Sequence, residues 1–202
     1  IKIGYKYKAL TEWFKQNPPK ITYADGSTLE NTYYWEATAN GISKFNREDI
    51  IVYDWDKTNI RKESQGVSKA DDTIQFKVIE SIKGNGYNLI FDDDGSGEIS
   101  DIIAIKVEDE TINIDLFHCK YSKEDLPGAR VGDLYEVCGQ AQKSINWKTN
   151  SERLLRHILR RENLREKRNP GTSRFEVGDK NTINSLINMS RVYSSKMNVY
   201  IV

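Results

Sequence analysis

The stretch Gly97-Glu98-Ile99-Ser100-Asp101, read together with Ile114-Asp115-Leu116-Phe117-His118-Cys119-Lys120, decides how this chain folds. Residues 101–107 and 111–121 are apolar-rich runs of strand length, and the acidic turn Glu108-Asp109-Glu110 between them predicts a hairpin. Side chains on a strand alternate between faces, so Leu116, His118 and Lys120 share one side while Asp115, Phe117 and Cys119 share the other. A histidine and a lysine on one face of a central strand call for partners, because burying an unpaired charge is unfavourable. Asp101 opens the neighbouring strand, and Glu98 lies just upstream in a Gly-containing turn. Glu98, Asp101 and His118 are therefore the candidate ligands for Mg2+ or Mn2+, which polarises a phosphate and acidifies an attacking water. Lys120 can orient or deprotonate that water, or neutralise developing charge. Asp92-Asp93-Asp94 does not complete a calcium-binding loop and reads as a solvated turn, with room for one outer metal contact.

Outward from this pair, a helix is predicted from Asp71 or Asp72, as cap, to about residue 83, with Ile74, Val78, Ile79 and Ile82 on one stripe. Gly84-Asn85-Gly86 breaks it, and residues 87–91 read as a strand. A helix over 131–147 presents Leu134, Val137, Cys138, Ala141 and Ile145 on one face. A second helix spans 151–167, capped by Ser151, and Pro170-Gly171 ends it. Residues 198–202 form a last strand that stops in mid-stream; with Ile at position 1, this reads as a fragment of a longer protein. The order helix, strand, strand, strand, helix, strand is an α/β fold with a small mixed sheet. Residues 1–62 form a separate β-rich, aromatic segment: a short helix over 7–16, a turn at Asp25-Gly26-Ser27, and strands near 31–37 and 49–54. Its Trp13, Tyr33, Tyr34, Trp35 and Tyr53, with Trp55, are expected to pack as anchors.

The quoted residues resemble the PD-(D/E)xK nuclease superfamily, whose shared core is αβββαβ, and within it the Mrr-like branch. The phrases DDDGSGEISDIIAI (92–105), IDLFHCKYS (114–122) and PGARVGDLYEVCGQAQKS (127–144) resemble the C-terminal nuclease-like region of helicase-associated restriction and phage-defence proteins. The resemblance implies a restriction-endonuclease-like domain over 63–202, with Asp101 as the metal-binding aspartate and Lys120 as the lysine. It also implies a helicase domain in the same or a partner chain. His118 stands where the superfamily has Glu, Asp or, in the Mrr-like branch, Gln. An imidazole is a poorer ligand for Mg2+ than a carboxylate and suits Mn2+ better. With Glu98 restoring the missing charge, the expectation is a metal-dependent DNA endonuclease; the alternative is a weakened, nuclease-like module for DNA binding or assembly. Gln140, on the helix after the third strand, is a candidate contact to the site or to phosphate.

The chain holds 30 Lys+Arg and 30 Asp+Glu, so its formal net charge is zero, but the charges are unevenly distributed. Arg130, Lys143, Arg153, Arg156 and Arg160 belong to a region rich in basic residues, and a basic helix beside a phosphodiesterase site suits a DNA backbone. Cys119 and Cys138 have no CxxC partner and read as buried thiols of a cytoplasmic protein. No run of residues is apolar enough to span a bilayer. A homo-oligomer is compatible with all of this.

Overall fold

A computed structural model describes the chain except residues 1, 4, 24–26, 31–32, 37–45, 127, 129 and 149. The expected turn at Asp25-Gly26, the ends of the strand near 31–37, and Pro127 lie outside the described residues. The chain forms two compact units, Ile1–Tyr53 and Asp54–Val202. No helix among the described residues is long and apolar enough to cross a membrane.

In the first unit, β1 (Lys2–Ile3) and β2 (Lys6–Tyr7) pair antiparallel, and α1 spans Leu10–Gln16. An antiparallel sheet follows, built from β3 (Lys20–Thr22), β4 (Thr28–Glu30) and β5 (Tyr33–Trp35). The strand expected at 49–54 is absent: Arg47–Asp49 is a single 3-10 turn capped by Asn46. The aromatic anchors do not form a core. Tyr33, Tyr34 and Trp35 are more than half exposed, and Ser27 is the one buried residue described in this unit. Strands of three residues offer too little area to enclose aromatic rings.

The second unit is built on a five-stranded mixed sheet in the order β10-β8-β7-β6-β9. Its strands are β6 (Leu89–Asp92), β7 (Ile102–Glu108), β8 (Thr111–His118), β9 (Phe175–Val177) and β10 (Ser194–Ile201). The first three form an antiparallel meander, β10 lies parallel to β8, and β9 pairs antiparallel with β6. The hairpin is as read from sequence, but its turn is Asp109 and Glu110 alone, both with positive φ, the geometry a two-residue loop needs to match strand twist. Glu108 belongs to β7, and β8 ends at His118, so Lys120 lies beyond the strand on which parity placed it. One face of the sheet gathers Phe91, Ile103, Ile105, Ile112, Ile114 and Leu116. Leu154, Leu155 and Ile158 of α4 (Ser151–Arg168) and Ile183, Leu186 and Ile187 of α5 (Lys180–Met189) close over it. Each fully buried aliphatic side chain there contributes about 1.5–3 kcal/mol. Ile90, Ile102, Ala104 and Phe117, one residue out of phase, are buried toward the opposite face.

Helix α2 (Ile74–Lys83) buries Ile74, Val78, Ile79 and Ile82, the expected stripe, together with Gln75. Its cap is Thr73, which accepts from Phe76 N, rather than Asp71 or Asp72; Asp72 takes Lys62 instead. Likewise Asn150, not Ser151, caps α4. Helix α3 spans Val131–Ser144 and ends in a 3-10 turn, Ile145–Trp147. Of its expected apolar face only Val137 is buried; Leu134, Cys138 and Ile145 are exposed. The two cysteines are free, Cys119 buried and Cys138 exposed, which corrects the reading of both as buried.

Candidate metal centre and adjoining cleft

The acidic loop between β6 and β7 is a built structure rather than a solvated turn. Asp92 and Asp93 are buried, and Asp93 Oδ2 accepts from Ile99 N at 2.7 Å while Oδ1 pairs with Arg161 Nε. Arg161, from α4, also donates to the carbonyls of Asp93, Asp94 and Ser96. Arg174 donates to the Asp92 and Asp94 carbonyls at 2.8 and 2.9 Å. Glu162 holds that segment by accepting from Arg174 N and the Ser173 hydroxyl. Two arginines thus saturate carbonyls that the tight loop cannot pair internally, and buried carbonyls left unpaired are destabilising. Gly97 has φ +85, and a Cβ there would lie 3.4 Å from the Arg161 guanidinium, so glycine fits both the backbone and the clamp.

The clamped loop brings three carboxylates together. Asp94, Glu98 and Asp101 each offer an oxygen within 4.8 Å of the other two. Asp101, 3% exposed, accepts from Cys119 N through Oδ2 at 2.9 Å and from Gln75 Nε2 through Oδ1 at 3.3 Å. Gln75 is oriented in turn, since its Oε1 accepts from Gln65 N. Glu98 accepts from Gly95 N at 2.7 Å. Burial, with Glu98, Glu63 and Asp94 adding repulsion, pushes the Asp101 carboxyl up to about 7 against the opposing Cys119 hydrogen bond. Burial likewise raises Glu98, with Asp94 adding to it. Acids crowded and desolvated in this way are relieved by a cation.

His118, at the end of β8, is 3% exposed. Its Nε2 lies 2.8 Å from Ser144 Oγ, and Ser144 donates its proton to the Ile99 carbonyl at 2.7 Å. A serine hydroxyl has one proton, so toward His118 it acts as acceptor, and the imidazole carries its proton on Nε2. Burial pulls the His118 pKa down to about 4, so the ring is neutral near pH 7 and Nδ1 keeps its lone pair. Nδ1 lies 4.0 Å from Asp101 Oδ2.

The other expected residues divide into two groups. Gln140 and Lys143 line a cleft of about 420 Å³ with Glu98, His118 and the loop residues Gly95–Gly97. Gln140 Oε1 is buried with no hydrogen-bond partner. Lys120 donates to Glu136 at 2.7 Å and lies 3.8 Å from Glu63. Burial lowers its pKa, but the Glu136 hydrogen bond and the Glu63 charge outweigh that and hold the ammonium above its ordinary value. Arg130 is bonded to Ser122 and the Leu126 carbonyl, Arg156 to Glu152, and Arg153 lies over the Trp147 ring. Arg160 lines a shallow groove along α4 with Arg156 and Lys167.

Asp115, assigned a structural role by strand parity, accepts from Tyr87 and Asn198 on the far face. Sequence reading took Asp93 for part of a solvated turn and gave no site role to Arg161, Arg174, Gln75 or Ser144. The usable signal was a buried-type spacing on α4, where Arg161 and Glu162 continue the stripe of Leu154, Leu155 and Ile158. No family model matches the chain, and neither a curated protein nor a solved structure is significantly similar to it.

Proposed function

We propose that the Asp54–Val202 unit is a divalent-metal-dependent DNA endonuclease domain that hydrolyses phosphodiester bonds, serving a helicase-coupled restriction or anti-phage protein. The observation that carries this reading is the convergence of Asp94, Glu98 and Asp101, with Glu98 lining a cleft shared by His118 and Lys143; His118 stands outside the three-acid group, its bare Nδ1 4.0 Å from Asp101 Oδ2. The meander β6-β7-β8 with β10 parallel to β8, preceded by α2 and followed by α3, agrees with the αβββαβ core that the resemblance implies. The helicase and defence context rests on the resemblance of residues 92–144 alone.

Bound Mg2+ or Mn2+ would supply Lewis acidity toward the phosphate and a more acidic water. Asp101, Glu98, Asp94 and His118 would hold the ion. The hydrogen bonds from Cys119 N and Gln75 fix the direction of the Asp101 oxygens. Lys143 and Gln140 would meet the phosphate backbone in the cleft, and Arg160 and Arg153 would track it along α4. Lys120 would neutralise charge on the reacting phosphate once Glu136 yields its hydrogen bond.

Incubating the full chain with plasmid in Mg2+ and, separately, in Mn2+ tests this. Cleavage is expected with at least one ion and is expected to be lost in Asp101→Ala and Lys120→Ala. Cleavage that survives either substitution would overturn the assigned site. The engagement of Lys120 by Glu136 and Glu63 favours a second reading, a module that binds DNA without cutting it. Salt-sensitive DNA binding with no cleavage under either ion would select that reading.

A further inference from the structure

Ser144 lies at the end of α3, is fully buried, and joins two segments of the site: His118 at the end of β8 and Ile99 in the acidic loop. Its single proton is committed to the Ile99 carbonyl, so it can only accept from His118 Nε2. That leaves Nδ1 as a lone-pair donor within a side chain that is 97% enclosed, with no hydrogen-bond partner among the described residues; its nearest recorded polar neighbour is Asp101 Oδ2 at 4.0 Å. Two ligands of one ion with bonds near 2.0–2.2 Å stand no more than about 4.4 Å apart, so Nδ1 and Asp101 Oδ2 are within reach of one ion, and Asp94 and Glu98 must turn toward it, since His118 lies outside the 4.8 Å group that they form with Asp101. Histidines that ligate metals characteristically donate their other ring N–H to a fixed acceptor, which sets both tautomer and ring angle.

We propose that Ser144 presents His118 Nδ1 as a nitrogen ligand to an ion held by Asp101, the member of the acidic cluster that lies beside it, and that this makes the centre selective for Mn2+, or a comparable nitrogen-accepting transition ion, over Mg2+. The inference rests on the metal-dependent reading above and goes beyond it by choosing the ion and naming the residue that enforces the choice. Mg2+ favours oxygen donors and octahedral, water-rich shells, whereas Mn2+ accepts imidazole readily. Ser144 acts through His118 and is a positioning residue.

The test uses the full chain with Mn2+ alone as probe. Pulsed electron paramagnetic resonance of bound Mn2+ is expected to show 14N coupling that disappears in His118→Asp. Competition with Mg2+ is expected to give a Mn2+/Mg2+ affinity ratio that falls about tenfold in His118→Asp. Ser144→Ala is expected to weaken Mn2+ binding roughly 10- to 100-fold. Because a variant at a buried position can fail to fold, the unsubstituted protein carries an independent readout: 15N shifts of its histidines should show His118 as the Nε2–H tautomer without metal. An Nδ1–H tautomer, bound Mn2+ without nitrogen coupling, or an unchanged ion ratio in His118→Asp would overturn the proposal. DNA cleavage measured on the same samples separates the two claims. Nitrogen-coupled Mn2+ with no cleavage under any ion sinks the nuclease reading alone, and cleavage with Mn2+ that lacks nitrogen coupling sinks this inference alone.

Discussion

Helices α3 and α4 both carry apolar rows at helical spacing, yet the fold uses them in opposite ways. Helix α4 buries Leu154, Leu155 and Ile158 completely and continues the same row with Arg161 and Glu162, 8% and 4% exposed. Helix α3 buries only Val137 and Ser144, leaving Leu134, and Ile145 in the 3-10 turn that follows, more than half exposed. An apolar stripe shows that a helix has two faces; it does not show how much of the sheet is free to receive one. Helix α4 lies over the inward row of the sheet and, through Arg161, fixes the acidic loop. Helix α3 runs beside β8 and β10 and lends the site its cleft-lining side chains, Gln140 and Lys143, and the Ser144 hydroxyl.

The sharpest break of this contrast is at the clamp. Arg161→Met should destabilise the protein by about 3–5 kcal/mol in urea unfolding, because Asp93 would lose its buried partner and the carbonyls of Asp93, Asp94 and Ser96 their donor. A loss under about 1 kcal/mol would show that the loop holds itself. Next come matched truncations on the two helices. Leu155→Ala is expected to lower stability by about 2–5 kcal/mol, and Val137→Ala by about 1.5 kcal/mol, from roughly 0.8 kcal/mol per buried methyl-sized group. Equal losses would remove the distinction between the helices. At the exposed end, Leu134→Gln should change stability by no more than about 0.5 kcal/mol. A larger loss would mean that α3 packs more tightly than its exposure indicates.

A pH series sharpens the same comparison at the loop. The Asp101 carboxyl, raised to about 7, binds its proton more tightly in the folded chain than unfolded. Its contribution is fully present below its ordinary value near 3.8 and is lost as pH rises through about 7. His118, lowered to about 4, behaves in the reverse sense: its contribution is present above 6.5 and is lost as pH falls through about 4. A cation stabilises the ionised acids and the neutral imidazole together. The rise in melting temperature on adding Mn2+ should therefore grow steadily from pH 5 to pH 8. A rise independent of pH would place the ion elsewhere.

Much of the sheet was legible because its information is local. Residues 102–108 and 111–118 announce themselves by apolar runs around an acidic two-residue turn, and α2 by its row of Ile and Val. The strand Phe175–Val177 and helix Lys180–Met189 drew no reading. Three residues carry no periodicity, and an Asn-, Ser- and Thr-containing helix has weak propensity. The aromatic segment misled for the opposite reason: ring content signals burial only where a second layer exists to provide it, and Tyr33, Tyr34 and Trp35 are exposed.

By itself the sequence determined the hairpin, the opposite facing of His118 and Asp115, and the presence of Glu98 and Asp101 just ahead of β7, because strand parity and turn chemistry act between neighbours. Only the tertiary structure decided that Asp94 joins those acids, that Asp92 and Asp93 go inside, that Arg161 and Arg174 hold the loop, and that Ser144 meets His118 Nε2. The arginine and serine contacts join residues 26 to 82 positions apart. They arise because buried polar groups must find partners wherever packing brings them, and no local spacing rule records where that will be.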